Sequence, residues 1–244
     1  MIVGIAVVAG LLVGSFLNVV AWRVPRGASI MRPRSSCPSC HSLIEARDNV
    51  PVVSWLWLRG RCRRCGEPIS PRYPLMEAAC ALLWGLVAWR IEPSGAVPAF
   101  CIGIAALLVI AVVDLDVMRV PDKILFPSVA LTLVALVAVA GADGRWHQFG
   151  RAAAGAGIGV AGLLLIHLVA PRGMGFGDVK LAALCGLLCG WVGWWALVVG
   201  LYGAFVLGAI TGVVLIVAGR HERKRHLPFA PFLALATTIA VLVT

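Results

Sequence analysis

Apolar stretches, each near the length needed to cross a membrane, follow one another along most of the chain. A helix that crosses the hydrocarbon core needs roughly 20 mostly apolar residues. The pattern therefore predicts an all-α polytopic membrane protein with about eight transmembrane helices. The predicted spans lie near residues 2–22, 75–89, 97–113, 124–140, 152–170, 179–194, 196–217 and 227–243.

One sizeable polar segment interrupts this pattern, between the first and second predicted spans. Residues 23–74 are rich in arginine and proline and carry too much charge to lie in lipid. We therefore expect three parts: a first transmembrane helix (1–22), a small four-cysteine domain (23–74) and a transmembrane domain (75–244). The first span lacks the positively charged start and the cleavage site of a secretory signal, so we expect it to be retained.

The positions of lysine and arginine predict the orientation in the membrane, because short cytoplasmic loops are enriched in them. If segment 23–74 is cytoplasmic, an even number of spans places both termini outside the cytoplasm. The aspartates at the ends of the third and sixth spans, Asp114 and Asp178, then lie at the cytoplasmic edge of the membrane. The other basic residues that would then be cytoplasmic are Arg119, Lys123, Arg172, Lys180, Arg220, Arg223, Lys224 and Arg225. Those left outside are Arg90, Arg145 and Arg151.

The formal net charge of +10 raises the question of nucleic-acid binding. No recognition fold or aromatic stacking pattern accompanies the arginines. Membrane topology and anionic lipid headgroups account for the charge. We expect the lipid bilayer, and no nucleic acid, as a partner.

Two C-x-x-C motifs lie in the polar segment, Cys37 with Cys40 and Cys62 with Cys65. Each motif can present two thiolates to one ion, and their separation is close to that of a zinc ribbon. Disulfides or redox-active thiols are the alternative, but a reducing cytoplasm argues against stable bridges. The pattern predicts a structural zinc site with four cysteine ligands; His41 is either a substitute ligand or an exposed neighbour.

The remaining cysteines and most span glycines are expected to serve packing. Free cysteine in an apolar span behaves as a small hydrophobic residue, and glycines such as those between Gly155 and Gly162 allow close helix approach. The cysteines concerned are Cys80, Cys101, Cys185 and Cys189.

Two aspartates, Asp114 and Asp178, lie at the ends of predicted spans, where a carboxylate calls for a functional explanation. Asp178 follows the glycines of Gly175-Phe176-Gly177, which permit close approaches. Two carboxylates that share one site cannot easily both ionise, so one holds a proton. Such a pair can polarise a water and protonate a leaving amine.

Each acid also has a structural alternative. Asp114 could form an ion pair with Arg119 or Lys123, and Asp178 could be a helix-start carboxylate stabilised by the dipole. Their common predicted depth favours a shared site. Two further acids are interpreted as solvated loop or capping residues: Asp116 and Asp122.

An ordered set of segments resembles the type IV prepilin peptidases, membrane aspartyl proteases with a GxGD motif. The matching segments are 14–20 with Arg23, 48–55, 59–62, 72–77, 114–122 and 175–180. In that family the first acid of the Asp-to-Pro-Asp motif and the acid of GxGD are catalytic. The resemblance thus implies that Asp114 and Asp178 are catalytic and that Gly175 and Gly177 form the active-site loop.

The resemblance implies cleavage of the short positively charged leader of type IV prepilins and pseudopilins, after a glycine. It also implies a multi-pass protein of the bacterial cytoplasmic (inner) membrane, with the active site and the cysteine domain facing the cytoplasm. Hydrolysis would proceed by acid-base chemistry without a covalent intermediate. Many members also N-methylate the new terminus with S-adenosylmethionine. The sequence contains no glycine-rich nucleotide loop for that cofactor, and Glu77 either serves it or pairs with Arg72.

Two other classes of protein share part of this pattern. A secondary transporter also carries intramembrane acids and broken helices, but places them near the midplane. A zinc-ribbon membrane scaffold would keep the cysteines without needing the aspartates. Placement of both aspartates at the cytoplasmic edge argues against the transporter.

Overall fold

The computed structural model describes residues 1–171, 173–218 and 227–244. In these ranges the chain forms α-helices and short 3-10 turns but no β-strand, which confirms the all-α prediction. The helices are α1 Ile2–Arg23, α2 Val53–Trp57, α3 Arg72–Arg90, α4 Val97–Val117, α5 Asp122–Asp143, α6 Trp146–Val169, α7 Phe176–Val192, α8 Trp194–Val217 and α9 Ala230–Val243. The expected cytoplasmic residues Arg172, Arg220, Arg223, Lys224 and Arg225 lie outside the described residues.

Every predicted span coincides with a helix, but the number of spans is not confirmed. In the described part of the chain, five helical stretches are long and apolar enough to cross a membrane. They are Ile2–Arg26, Ser94–Val117, Asp122–Asp143, Trp146–Val169 and Trp194–Val217. Helix α9 is apolar but has only 14 residues.

The chain divides into two compact units, Met1–Trp89 and Arg90–Thr244. In the first unit, α1 packs against α3 through small residues. A Cβ added to Gly10 would lie 2.7 Å from Ala81 Cα, and one added to Gly14 would lie 2.7 Å from Glu77 Cα. These glycines therefore bring the two helix backbones into contact.

The polar part of the first unit is organised around Trp55 of α2. Its indole N–H donates to the Ile69 carbonyl at 3.1 Å, and its ring lies against Gly60, where a Cβ would come within 2.9 Å. Gly60 has a φ of +67°, a conformation that favours glycine. One aromatic ring thus joins α2 to the segment that precedes α3.

The core of the second unit lies along α4 and α7. Fully buried side chains on these helices are Phe100, Ile104, Leu107, Ile110, Leu181, Leu184 and Leu188. Helix α6 packs on α7 through facing glycines: a Cβ on Gly155 would lie 2.6 Å from Gly186 O, and one on Gly159 would lie 2.9 Å from Ala182 O. The predicted packing role of the glycines is confirmed for these two, whereas Gly157 faces open space.

The outer surface of the second unit is apolar. Exposed residues on α8 include Val206, Ile210, Val213, Val214 and Val217. An apolar surface of this kind on a helix long enough to span is suited to lipid contact rather than water. The chain is accordingly an integral membrane protein.

Arg151 of α6 caps the end of α7. Its guanidinium donates to the carbonyls of Gly190, Trp191 and Val192 at 2.7, 2.5 and 3.0 Å. The last carbonyls of a helix have no intrahelical partners and carry partial negative charge, so a cation is stabilising there. This contact holds the far end of the helix whose first turn contains Asp178.

Candidate active site and metal centre

Asp114 lies in the last turn of α4 and is only 6% exposed. The Ala230 amide, at the start of α9, donates to Asp114 Oδ2 at 3.2 Å. The helix ends at Met118, whose amide donates to the Asp114 carbonyl and whose φ of 52° is left-handed. This turn directs the chain to Pro121, which precedes the first residue of α5.

Asp178 lies in the first turn of α7 and is 7% exposed. Its amide donates to the Gly175 carbonyl at 3.1 Å, and a Cβ on Gly175 would lie 3.4 Å from Asp178 Oδ2. The carboxyl groups of Asp178 and Asp114 are close enough to interact electrostatically. The structure thus brings together two buried acids, the acid pair, that are 64 positions apart in the sequence (178 minus 114).

The loop before Asp178 packs directly on the loop that follows Asp114. A Cβ added to Gly177 would lie 2.9 Å from Val120 Cβ and 3.0 Å from Val120 Cγ2. No side chain fits there unless Val120 moves. Gly177 is therefore needed for close approach rather than for a left-handed backbone, since its φ is not positive.

An ion pair also joins the beginnings of α5 and α7. Lys180 Nζ donates to Asp122 Oδ1, and the ammonium group lies 5.7 Å from the ring centroids of both Phe126 and Phe176. Asp122 is the first residue of α5, so the pair links α5 to α7. The sequence-based interpretation of Asp122 as a capping or solvated acid omitted this partner.

His167, in the last turn of α6, forms a further link to the loop before Asp178. Its Nδ1 lies 2.8 Å from the Met174 carbonyl oxygen, and its ring is 5.7 Å from that of Phe176. Met174 itself is buried. His167 of α6 therefore holds this segment at Met174, whereas Val120 contacts it at Gly177.

The structure separates the alternatives left open for the acids. Asp114 is hydrogen-bonded to the Ala230 amide, rather than ion-paired with Arg119 or Lys123 among the described residues. Asp178 does lie in the first turn of a helix, as its alternative proposed, and is also buried and close enough to Asp114 to interact electrostatically. Asp116 is exposed.

The four motif cysteines form one cluster in the first unit. Their sulfur atoms all lie within 4.8 Å of one another, and those of Cys37 and Cys65 are 3.7 Å apart. In a tetrahedral site with Zn–S bonds of about 2.3 Å, the sulfur atoms are about 3.8 Å apart. The arrangement fits one metal ion, so the residues suit the implied zinc. Its members are Cys37, Cys40, Cys62 and Cys65.

The two C-x-x-C turns have the same backbone structure. One isolated antiparallel bridge closes each turn, Ser36 with Leu43 and Arg61 with Pro68. His41 and Gly66 occupy equivalent positions, and both have a positive φ, 57° and 75°. His41 is exposed and lies outside the cysteine cluster.

Hydrogen bonds favour the thiolate forms of Cys40 and Cys62, whereas desolvation and the neighbouring thiols raise the pKa of Cys65 to about 12. The hydroxyl and the amide of Ser42 lower the pKa of the Cys40 thiol to about 6. The backbone amides of Cys65 and Arg64 lower the pKa of Cys62. Thiolates are the species that bind zinc, and outer hydrogen bonds of this kind orient them.

An ion pair connects the second turn to the preceding segment. Arg63 donates through Nε and Nη2 to the Asp48 carboxylate at 2.6 to 3.1 Å, and this contact holds the pKa of Asp48 below its usual range. Arg64 pairs with Glu45 at 3.5 Å. Both arginines thus neutralise nearby acids.

The other cysteines are separate from the cluster and serve packing, as predicted. Cys80, Cys185 and Cys189 are buried in helices of the two units. A Cβ on Gly200 would lie 2.7 Å from Cys189 Sγ, so this thiol fills the space between α7 and α8. Cys101 is also buried.

Sequence reasoning missed several residues at the acid pair. Lys180 lies within the matched segment 175–180 but had no assigned role, and Val120 and His167 carry no chemical motif. The Ala230 amide could not be anticipated, because a backbone donor contributed by a distant helix leaves no mark on the sequence. A lysine two residues after an intramembrane acid was the one available signal.

Comparison with known proteins identifies both units. Residues 8–91 match the bacterial peptidase A24 N-terminal domain, and residues 101–217 match the type IV leader peptidase family. No solved structure matches the chain.

Curated relatives span nearly the whole sequence and carry the name prepilin leader peptidase/N-methyltransferase. The Aeromonas hydrophila protein is 36% identical over 95% of this chain and 87% of its own length. The Pseudomonas putida protein is 37% identical over 98% of this chain and 89% of its own. The Neisseria gonorrhoeae protein is 35% identical over 96% and 88%, respectively. The chain therefore belongs to the type IV leader peptidase family.

Proposed function

We propose that this protein is a prepilin leader peptidase that also methylates the new N-terminus of its product. The peptidase would cut the positively charged leader of type IV prepilins or pseudopilins after a glycine. Its catalytic residues are Asp114 and Asp178. The names of the relatives support both activities.

One observation carries the peptidase proposal: two buried carboxyl groups, one in the last turn of α4 and one in the first turn of α7, lie close enough to interact electrostatically. Buried charges are costly unless they are paired or functional. Neither acid forms a salt bridge among the described residues, so stability alone does not account for them. Their positions at helix ends also differ from the midplane placement of a transporter site.

The proposed reaction needs one ionised and one protonated aspartate. The ionised carboxylate removes a proton from a water molecule as the water oxygen attacks the carbonyl carbon of the scissile bond. The protonated partner donates its proton to the leaving nitrogen as the C–N bond breaks. The Ala230 amide, which donates to Asp114, orients that carboxyl group.

The proposed location is the inner membrane of a bacterium, with the acid pair and the cysteine cluster facing the cytoplasm. This orientation places the arginine-rich first-unit segment and Lys180 on the cytoplasmic side. The scissile bond of the substrate would lie at the same edge, between the apolar stem in the membrane and the leader in the cytoplasm.

Zinc is proposed as a structural ion bound by the cysteine cluster. Four thiolates leave no open coordination position for water or substrate, which distinguishes a structural from a catalytic zinc site. The polar segment is small and has few buried apolar residues, so metal binding would supply much of its folding free energy.

Co-expression with a candidate prepilin tests the function. Mass spectrometry of the substrate N-terminus should show loss of the leader and, on the cleaved form, the added mass of one methyl group. Cleavage without the methyl mass would reject only the second activity. Intact leaders on several candidate prepilins would reject the peptidase.

A further inference from the structure

A cavity of about 610 Å³ lies within the first unit. Its volume is in the range of about 300–1,000 Å³ that is typical of sites for cofactors and small molecules. The ends of α1 and α3 and the cysteine-containing segment form its walls. Its lining includes Ser15, Asn18, Trp22, Trp55, Tyr73 and Glu77.

Glu77 is a buried carboxylate that faces this cavity. It is 8% exposed, and its Oε2 accepts a hydrogen bond from the Val52 amide at 2.7 Å. That partner is neutral. Two other acids that line the cavity, Glu45 and Asp48, form ion pairs with arginines.

Helix packing fixes Glu77 in this position. Its Cα packs against Gly14 of α1, where an added Cβ would lie 2.7 Å away. One turn further along α1, Asn18 is buried and donates through Nδ2 to the Tyr73 carbonyl at 3.2 Å. The carboxylate therefore belongs to a packed helix rather than to a loop, and such a position holds a binding group precisely.

Aromatic rings complete the chemistry of the cavity. Trp22, Trp55 and Tyr73 line it together with polar groups of Ser15 and Asn18. Aromatic faces bind flat bases and attract cations. A cavity lined by both a buried carboxylate and aromatic rings suits a ligand that combines a planar heterocycle with a fixed positive charge.

We propose that this cavity is the binding site for S-adenosylmethionine, with Glu77 as the counter-charge to its sulfonium. This inference rests on the proposed methyl transfer and adds the location and the charge-recognising residue. When bound, the cofactor supplies a methyl group: a nitrogen–carbon bond forms, the sulfur–carbon bond breaks, a proton leaves the amine and the neutral thioether departs. Glu77 binds and orients the sulfonium group, and the aromatic rings offer stacking surfaces for the planar base.

Substitution Glu77→Gln tests the assignment without perturbing the local fold. The amide oxygen of glutamine can still accept the hydrogen bond from Val52, so only the charge is removed. Glu92→Gln is the matched control, since Glu92 is exposed and does not line the cavity. Binding of radiolabelled S-adenosylmethionine and S-adenosylhomocysteine to the purified full chain is measured by equilibrium dialysis, with no substrate present.

Comparison of a charged with an uncharged ligand distinguishes loss of charge recognition from a general loss of structure. Only S-adenosylmethionine carries the positive sulfur, so Glu77→Gln should raise its dissociation constant about tenfold or more. The constant for the uncharged thioether should change much less. Leader cleavage and zinc content should equal those of the wild type, and Glu92→Gln should bind both ligands normally.

Two results would overturn the inference while leaving methyl transfer intact: wild-type affinity in Glu77→Gln, or equal losses for both ligands. A different result bears on the proposed function itself. If the wild type binds neither ligand and adds no methyl group to a cleaved prepilin, both the second activity and this site are rejected. The peptidase is then judged by leader cleavage alone.

Discussion

Lys180 forms an ion pair with Asp122, and this contact joins the beginning of α7, which contains Asp178, to the beginning of α5. Lys180 is two residues after Asp178, and Asp122 is eight residues after Asp114. The Lys180 side chain is 24% exposed and that of Asp122 is 53% exposed. Such an exposed pair contributes little to stability, typically about 0–1 kcal/mol. Its main consequence is positional, because it restrains the approach of α7 to α5.

Lys180→Met should therefore reduce leader cleavage more than it reduces stability. A displacement of catalytic groups by about 1 Å can lower a rate about 100-fold, and we expect a fall in kcat of about tenfold to 100-fold. The melting temperature should change by only a few degrees, as expected for the loss of an exposed pair. The value of kcat is measured with purified enzyme and a synthetic prepilin peptide, and the melting temperature is measured on the same purified enzyme.

Exchange of the two charges provides the control for this pair. The double variant Asp122→Lys with Lys180→Asp restores an ion pair in reversed order and should recover part of the lost kcat. If the loss of kcat in the double variant equals the loss expected from adding the effects of the two single variants, the ion pair does not position α5 and α7.

Gly177→Ala should inactivate the protein by forcing the loops apart. The new Cβ would lie 2.9 Å from Val120 Cβ, and overpacking of this kind costs about 1–3 kcal/mol. Gly173→Ala is the matched control, because its Cβ would meet the Ala170 carbonyl at an ordinary 3.5 Å. Leader cleavage in membranes should be lost in the first variant and kept in the second.

Removal of the opposing side chain tests the steric cause of that loss. Adding Val120→Gly to Gly177→Ala clears both contacts that lie within about 3 Å, so cleavage should partly return. Failure of this rescue, with normal protein levels, would mean that Gly177 serves a purpose other than close approach.

The helices of this fold were predictable because lipid imposes strong rules on the sequence. Apolar length alone located α4, α5, α6 and α8, since a buried backbone must form its own hydrogen bonds. Length failed to decide the number of spans. Helix α7 has only 17 residues and carries Asp178 and Lys180 near its start, so apolar length alone does not show whether it is a span.

The chemistry of the site was easier to predict than its geometry. Asp114 and Asp178 were recognisable because acids are rare at the ends of apolar stretches. The contact of Gly177 with Val120 and the hydrogen bond from Ala230 depend on how α5, α7 and α9 pack. Contacts between distant segments leave no local pattern.

Cys37→Ser should remove bound metal from the first unit. Loss of one of four ligands weakens a structural zinc site strongly, because binding and folding are coupled. Zinc content of the purified protein should fall well below one equivalent, and leader cleavage should fall indirectly. Cys80→Ser is the control, since this buried thiol lies outside the cluster and its variant should keep one zinc. Unchanged zinc in Cys37→Ser would reject the four-cysteine site.

Gly66→Ala and His41→Gly should have opposite effects on the cysteine segment. A Cβ on Gly66 meets nothing within 4 Å, so the cost of alanine, about 1–2 kcal/mol, arises only from its left-handed backbone. His41 already has that conformation, and glycine there should be neutral or slightly stabilising, with zinc content unchanged. Limited proteolysis of the segment should therefore be fastest in Gly66→Ala and no faster in His41→Gly than in the wild type. A zinc-deficient His41→Gly variant would indicate that the histidine is a ligand.

The most direct test of the acid pair is the initial rate of prepilin cleavage by purified Asp114→Asn, Asp178→Asn and Asp116→Asn variants. Asparagine keeps the shape of the side chain but can neither accept the proton from water nor donate one to the leaving nitrogen. The first two variants should show no cleavage above background, whereas Asp116→Asn, which changes an exposed acid two residues away, should keep most of the wild-type rate. Substantial cleavage by either of the first two variants would contradict the assignment of Asp114 and Asp178 as the catalytic residues.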